Sequence, residues 1–320
     1  MEIVRDIEGY QGEPCAVTVG LFDGVHVGHQ HLLMRLKQES SIRGLKSVVV
    51  TLHPHPRVVL SKGNDRVGLL TTLEQRLKYI EALGIDRCIV LPFTREFSDL
   101  TAREFMREYL RERIGAKMLL LGYNHRFGSD TLEGEDYIRV GREEGIIVER
   151  GEQFVLGDGE KVSSSLIRNY LSEGSVERAR ELLGHPYMFA GRVCHGDAIG
   201  RELGYRTANL EVSESQMTPG DGVYAGLARA GGKVVRCVVN IGRRPTVGGP
   251  DHRVEAHLID WEGELYDEEV WIMLTDRLRS ERKFDDRERL REQIGHDIEV
   301  SLEKISLESE MKLKTWFEFC

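Results

Sequence analysis

Residues 16–33 read AVTVGLFDGVHVGHQHLL. Ala16 to Val19 is a short β-branched run that predicts a strand ending at Gly20. A turn holding Gly24 follows, and apolar residues at helical spacing predict a helix from about Val27 to Arg43. His26 and His29 flank Gly28, and His31 follows on an offset face of the same helix. A strand–turn–helix junction aims backbone N–H groups and the positive end of the helix dipole at one spot, which favours anions. Two imidazoles there can donate to phosphate oxygens, and Gly28 lets a ligand come close. A single histidine is more simply a surface or capping residue. A His-x-Gly-His pair closing the first strand of an α/β pattern reverses that preference. Zinc is disfavoured, because helical metal-binding pairs prefer i, i+4 spacing and no carboxylate lies between these two.

The segments downstream extend the pattern. Val48 to Leu52 predicts a second strand, Cys88 to Leu91 a third and Lys117 to Leu121 a fourth. A helix from about Thr72 places Leu73, Leu77 and Ile80 on one face, with Thr72 and Gln75 in capping-box positions. Another starts at Thr101 with Glu104 in the same relation, turns Phe105, Tyr109 and Leu110 inward, and ends near Gly115. Strands alternating with helices imply βαβ units and a parallel sheet. Two short helices follow, Ser165 to Leu171 and Val176 to Leu183, with Gly184 as a C-cap before Pro186. From Tyr187 to about Arg279 the pattern becomes short strands between glycine turns. Among them are a hairpin at Gly231–Gly232, RVEAHLID (253–260) and EEVWIMLTD (268–276), which together suggest a small antiparallel barrel. The tail returns to helix, with Ile298, Leu302 and Ile305 on one stripe, and the mixed charges of Arg277 to Glu292 read as a solvated surface. The expected fold class is α/β plus all-β, with a first domain over 1–184 and a second over 185–320.

Composition narrows the function. The 320 residues carry 44 Lys and Arg against 53 Asp and Glu, a net charge of −9, which disfavours nonspecific nucleic-acid binding. An anionic small molecule remains compatible, because a few local cations suffice to hold one. Five cysteines, Cys15, Cys88, Cys194, Cys237 and Cys320, form no Cys-x-x-Cys and are odd in number, so neither a disulfide framework nor a structural zinc is expected. The N-terminus lacks a basic region and a long apolar core, and the longest apolar runs are far short of a membrane span. A soluble protein in a reducing, cytoplasmic setting is expected, with no membrane partner; a homo-oligomer is compatible with everything above.

The opening segment resembles the His-x-Gly-His signature of nucleotidylyltransferases, and more closely the version in bacterial bifunctional riboflavin kinase/FAD synthetases. Three other segments resemble the same family, in its order and spacing. TLHPHPRVVL (51–60) is similar to its Pro-His-Pro segment, LLLGYNHRFG (119–128) to its Phe-Gly segment, and VSSSLIRNYL (162–171) to its Ser-Ser-Thr-x-Ile-Arg motif, with Ser165 in the Thr place. The resemblance implies a Rossmann-like nucleotidylyltransferase domain that transfers AMP from ATP to FMN. It places His26 and His29 on the ATP phosphates with Gly28 between them, and Asn124 and His55 at the nucleotide. For His55 a rigid turn explains the flanking prolines equally well. Ser164 and Arg168, one helical turn apart, would face one ligand and supply a hydroxyl and a fork for phosphate; an ordinary N-cap and a surface arginine are the plainer alternative.

In the second half, GRVCHGDAIGRELGYRTANL (191–210) is by itself only a glycine-rich loop before a strand, with no Walker-type lysine. It resembles the riboflavin kinase signature ending Gly-Phe-Pro-Thr-Ala-Asn. By that resemblance Thr207 and Asn209 hold Mg²⁺ and ATP phosphates, and their hard oxygens suit the ion. RVEAHLID is similar to the family's Val-Glu-x-His stretch, which puts Glu255 in the place of the catalytic glutamate, a base for the ribityl 5′-hydroxyl. NIGRRPT (240–246) and GVYA (222–225) match the family's layout, and Arg279 is placed near the flavin phosphate. Arg206 stands where the signature has proline, which loosens the turn and adds a charge beside the expected metal site. The implied chemistry is phosphorylation of riboflavin to FMN, then adenylylation of FMN to FAD, both with ATP and Mg²⁺. Three alternatives stay open: adenylyl transfer alone with a degenerate flavin-binding barrel, a flavin-responsive protein without turnover, and adenylyl transfer to another phosphorylated acceptor.

Overall fold

The computed structural model describes residues 1–60, 68–130, 132–195, 204–243 and 252–320, with Arg243 and His252 described by backbone alone. The chain divides into two units, 1–66 with 73–162, and 67–72 with 163–320.

The first unit is built on β1 (Glu2–Val4), β2 (Cys15–Val19), β3 (Lys46–His53), β4 (Arg87–Pro92), β5 (Ala116–Leu121) and β6 (Ile147–Arg150). They form one sheet in the order β1-β4-β3-β2-β5-β6, every pair parallel. All five residues of β2 are buried, as expected of a central strand covered on both faces. The crossovers are α1 (Val27–Ile42), α2 (Pro56–Leu60), α3 (Leu73–Ala82), α4 (Arg95–Ser98), α5 (Ala102–Glu104) and α6 (Gly134–Glu143). α5 runs on as a π-helical stretch, Phe105–Arg113, that buries Phe105, Met106 and Leu110. The expected capping box is present: the Thr101 N–H donates to Glu104 Oε2 at 2.9 Å and the Glu104 N–H to Thr101 Oγ1 at 3.2 Å. Val17, Val48, Val50, Ile89, Leu119 and their neighbours make a continuous core, each such side chain contributing about 1.5–3 kcal/mol by burial. Cys15 and Cys88 are part of this interior, and burial pushes both thiols up to about 12.

The second unit begins with α7 (Ser164–Ser172) and α8 (Val176–Leu183), then the strands β7 (Tyr187–Cys194), β8 (Ala208–Val212), β9 (Gly222–Ala230), β10 (Lys233–Arg243), β11 (His252–Leu258) and β12 (Glu269–Arg279). They close into an antiparallel barrel in the order β10-β11-β8-β7-β12-β9. The β9–β10 hairpin turns at Gly231 and Gly232, with φ of +51° and +76°, the double positive φ that a two-residue primed turn demands. Two terminal helices follow, α9 (Arg287–Lys304) and α10 (Leu307–Lys314), then a 3₁₀ turn, Thr315–Phe319.

Two expectations about the tail need correction. Ile305 is buried and Ile298 packs against the barrel core, as expected, but Leu302 is 37% exposed. Asp297 and Ser301 are buried on α9 as well, Asp297 paired with Arg279 on β12. Arg277 and Arg279 are likewise not part of a merely solvated surface. Arg277 donates to the Glu173 and Asp221 carbonyls at 3.0 and 2.9 Å and so ties β12 to the turns after α7 and before β9.

Candidate active sites

In the parallel sheet the chain steps outward from β2 through β3 and β4 on one side, then starts β5 on the other. The C-terminal ends of β2 and β5 therefore open the crevice where such sheets bind ligands. The turn after β2 is strained. Phe22, Gly24 and Val25 have φ of +51°, +82° and +37°, a region that costs a non-glycine residue on the order of 1–3 kcal/mol. Burial of Phe22 and Val25 holds it, with the Val25 N–H donating to the Phe22 carbonyl at 3.0 Å and Gln30 Nε2 to the Val25 carbonyl at 2.9 Å.

His26 ends this turn as the N-cap of α1, its Nδ1 accepting from the His29 backbone N–H at 3.2 Å. A ring that accepts at Nδ1 carries its neutral-state proton on Nε2. The His29 ring stacks on it, with centroids 3.6 Å apart and planes 14° apart, and meets Phe22 edge-on at 5.3 Å. A Cβ at Gly28 would come within 3.3 Å of the His26 ring, so a side chain there would crowd it. His29 Nδ1 is buried without a hydrogen-bond partner, a condition that costs about 1–3 kcal/mol and marks a place for a ligand group. Burial holds His29 well below the usual histidine range, and the charges of His26, Arg76 and His125 lower it further.

Arg76 and His125 were not singled out by the sequence reading. Arg76, on α3, is 1% exposed; its Nη1 donates to Thr51 Oγ1 at 3.2 Å, its Nε has no partner, and burial lowers its pKa from the ordinary guanidinium value, an effect that the charge of buried Asp23 opposes. It brings a fixed positive charge to the His29 side of the crevice. His125 lies in the turn after β5, beside exposed Asn124. The residue is half-buried, its Nε2 is buried without a partner, and burial pushes the imidazole down to about 4. His55 is buried and its Nδ1 accepts from the Arg57 N–H at 3.1 Å, so it caps the start of α2.

These two histidines make stability depend on pH. As pH falls below 6.5 the unfolded chain takes up protons that the folded rings of His29 and His125 refuse, so stability present above that value is lost progressively, for His125 down to about 4. The slope approaches about 1.4 kcal/mol per pH unit for each ring. Urea midpoints should fall across this window, and His125→Phe should remove close to one proton from the slope; an unchanged slope would mean that the ring titrates freely in the folded protein.

Ser164 and Arg168 stand on α7, in the second unit. The cap of this helix is Ser163, whose Oγ accepts from the Leu166 N–H at 3.2 Å, so Ser164 lies in the first turn. Arg168, one turn on, donates through Nε to the Gly68 carbonyl at 2.6 Å.

In the barrel, Asn209 on β8 is directly opposite Glu255 on β11, which is opposite Asn240 on β10: one row across three strands. Thr207, two residues before Asn209, lines with it a cleft of about 450 Å³ that also takes in Arg206, His257 and Trp261. The Trp261 Nε1–H is buried and unpartnered. Arg206 is exposed, and its carbonyl accepts from His257 Nδ1 at 2.8 Å. Arg253, another residue passed over in the sequence, reaches two of the three residues in the row: Nη2 is 2.5 Å from Glu255 Oε1 and 2.9 Å from Asn209 Oδ1. Arg279 is engaged with Asp297, through Nε at 2.9 Å and Nη2 at 2.7 Å, and so joins β12 to α9. Gly196, Gly200 and residues 244–246 of the NIGRRPT segment lie outside the described residues. Among the described residues, no group of three or more His, Cys, Asp and Glu side chains could hold a metal ion, and no helix is long and apolar enough to cross a membrane.

Comparison with known proteins matches both units. The FAD synthetase family model matches residues 10–166 and the riboflavin kinase model residues 183–305. The bifunctional riboflavin kinase/FMN adenylyltransferase of Escherichia coli K12 is 35% identical over 93% of this chain and 96% of its own length. That of Bacillus subtilis is 35% identical over 91% of this chain and 92% of its own. A crystal structure described as a macrolide-efflux protein from Streptococcus pneumoniae superposes with a TM-score of 0.83 at 29% identity, covering 93% of this chain and 97% of that one. With two family models covering most of its length and relatives alike from end to end, the chain belongs to the bifunctional riboflavin kinase/FMN adenylyltransferase family.

Proposed function

We infer that the chain phosphorylates riboflavin to FMN in its barrel and adenylylates FMN to FAD in its α/β unit, with the adenylyltransferase in residues 1–184 and the kinase in 185–320. One observation carries this reading. Each family match coincides with a constellation suited to its step: stacked His26 and His29 at the switch point of the sheet, and Glu255 in register with Asn209 across the barrel.

For adenylyl transfer, an FMN phosphate oxygen attacks the α-phosphorus of ATP and pyrophosphate leaves in line, a reaction governed by positioning and charge neutralisation. His26 Nε2–H and the His29 ring donate to the phosphate oxygens, while the N-terminus of α1 and the Arg76 charge favour the polyanion. With His29 held neutral, the stacked pair is spared the repulsion that two imidazolium ions would suffer. Gly28 keeps the approach open, and Asn124 borders the same crevice. Ser164 and Arg168, one turn apart on α7, are a hydroxyl and a guanidinium suited to nucleotide phosphate. His55 acts by shaping its turn.

For the kinase step, Glu255 accepts the proton of the ribityl 5′-hydroxyl as that oxygen attacks the γ-phosphorus of ATP. Thr207 and Asn209 offer hydroxyl and amide oxygens to Mg²⁺, a donor set of the hard kind the ion prefers, and both line the cleft. When bound, Mg²⁺ neutralises charge on the transferring phosphates. Arg279, held by Asp297, is the candidate for the flavin phosphate. The substrates are small molecules, and the enzyme works in the cytoplasm.

The test is a time course of the purified protein with riboflavin, ATP and Mg²⁺, with the flavins separated. FMN should appear first and FAD later. Riboflavin left untouched while added FMN still becomes FAD would confine catalysis to the first unit.

A further inference from the structure

Arg253 and Glu255 are two apart on β11, so their side chains share a face. The guanidinium lies between two groups of the barrel row. Nη2 is 2.5 Å from Glu255 Oε1, while Nε and Nη2 approach Asn209 Oδ1 at 3.1 and 2.9 Å. An amide oxygen has two lone pairs, and here both meet N–H groups of one arginine. The carboxylate and the amide oxygen that the strands set opposite each other are thus bridged by a cation belonging to the chain. A divalent ion seeks the same amide oxygen, and a unit positive charge within hydrogen-bond distance of that oxygen opposes it.

We propose that Arg253 is a placeholder for the metal in the kinase site. Before nucleotide binds, it keeps Asn209 and Glu255 aligned and holds the affinity for a bare divalent cation low. When ATP arrives with its metal, the guanidinium leaves Asn209 Oδ1 for a phosphate oxygen, whose charge and geometry suit its fork. The barrel therefore takes its metal as the metal–nucleotide complex and not as the free ion. This rests on the reading of the barrel as the kinase and of Asn209 as a metal-facing residue.

The experiment measures Mn²⁺ binding to the full chain without nucleotide, by electron paramagnetic resonance, in the wild type and in Arg253→Gln, Arg253→Lys and Asn209→Ala. The scored component is the one that Asn209→Ala removes. Arg253→Gln should bind Mn²⁺ about tenfold more tightly than wild type, because the opposing charge is gone. Arg253→Lys keeps the charge and should stay within about threefold of wild type. With ATP present the order should reverse, the KM for ATP of Arg253→Gln rising about tenfold as a phosphate partner is lost. A residue of purely structural importance would weaken both interactions together. Unchanged or weaker Mn²⁺ binding in Arg253→Gln overturns the proposal, as does Mn²⁺ binding indifferent to Asn209→Ala. Conversion of riboflavin to FMN by the same wild-type preparation tests the kinase reading separately.

Discussion

Glu255→Gln is expected to slow riboflavin phosphorylation by about 10²–10⁴-fold, the usual contribution of a positioned general base, while FMN supplied directly is still converted to FAD. The substitution keeps the size of the side chain and one oxygen for the Arg253 contact, so the row with Asn209 is retained. What it removes is the basic carboxylate. Glu255 is suited to that task because its side chain is 23% exposed, near enough to the surface for a substrate hydroxyl to reach. The assay needs two feeds, riboflavin and FMN, on one preparation. A fall of less than tenfold with riboflavin would remove Glu255 from the role of base. Equal losses with both feeds would point to a damaged protein.

Much of the fold was legible because its signals are periodic. Four of the six sheet strands are β-branched or aliphatic runs with a capped helix nearby, and the hairpin at Gly231–Gly232 announces itself by composition. β1 and β6 were not read. They have three and four residues, and only Val148 of β6 is buried, so neither carries a pattern of its own; the partner strands β4 and β5 make them strands. The site divides in the same way. The His-x-Gly-His segment and the Thr-Ala-Asn turn are local in sequence and could be read directly. Arg76 could not. Between Gln75 and Leu77 it looks like the solvated side of an amphipathic helix, yet it is buried because Asp23 and Thr51, distant in sequence, receive it. Arg253 did carry a signal, since strand periodicity puts it on the face of Glu255. His125 was inside a quoted motif and was passed over for Asn124; its importance lies in the burial of Nε2, which no spacing reveals.

His29→Ala is expected to lower FMN adenylylation by about 10²–10³-fold, the cost of losing one preorganised donor, with riboflavin still converted to FMN, which then accumulates. This histidine separates catalysis from folding better than its neighbour does. The cap of α1 is made between the His26 ring and the backbone N–H of residue 29, and alanine at 29 keeps that N–H. His26→Ala removes both the donor and the cap, so it should also lower the unfolding free energy by about 1 kcal/mol. Comparing the two variants divides the roles of the stacked pair. If the rings act as phosphate donors, both variants lose adenylylation by similar factors and only His26→Ala loses stability on the scale of a cap. If the pair served only to build the turn, loss of activity would follow loss of stability, and His29→Ala would make FAD within about tenfold of the wild-type rate.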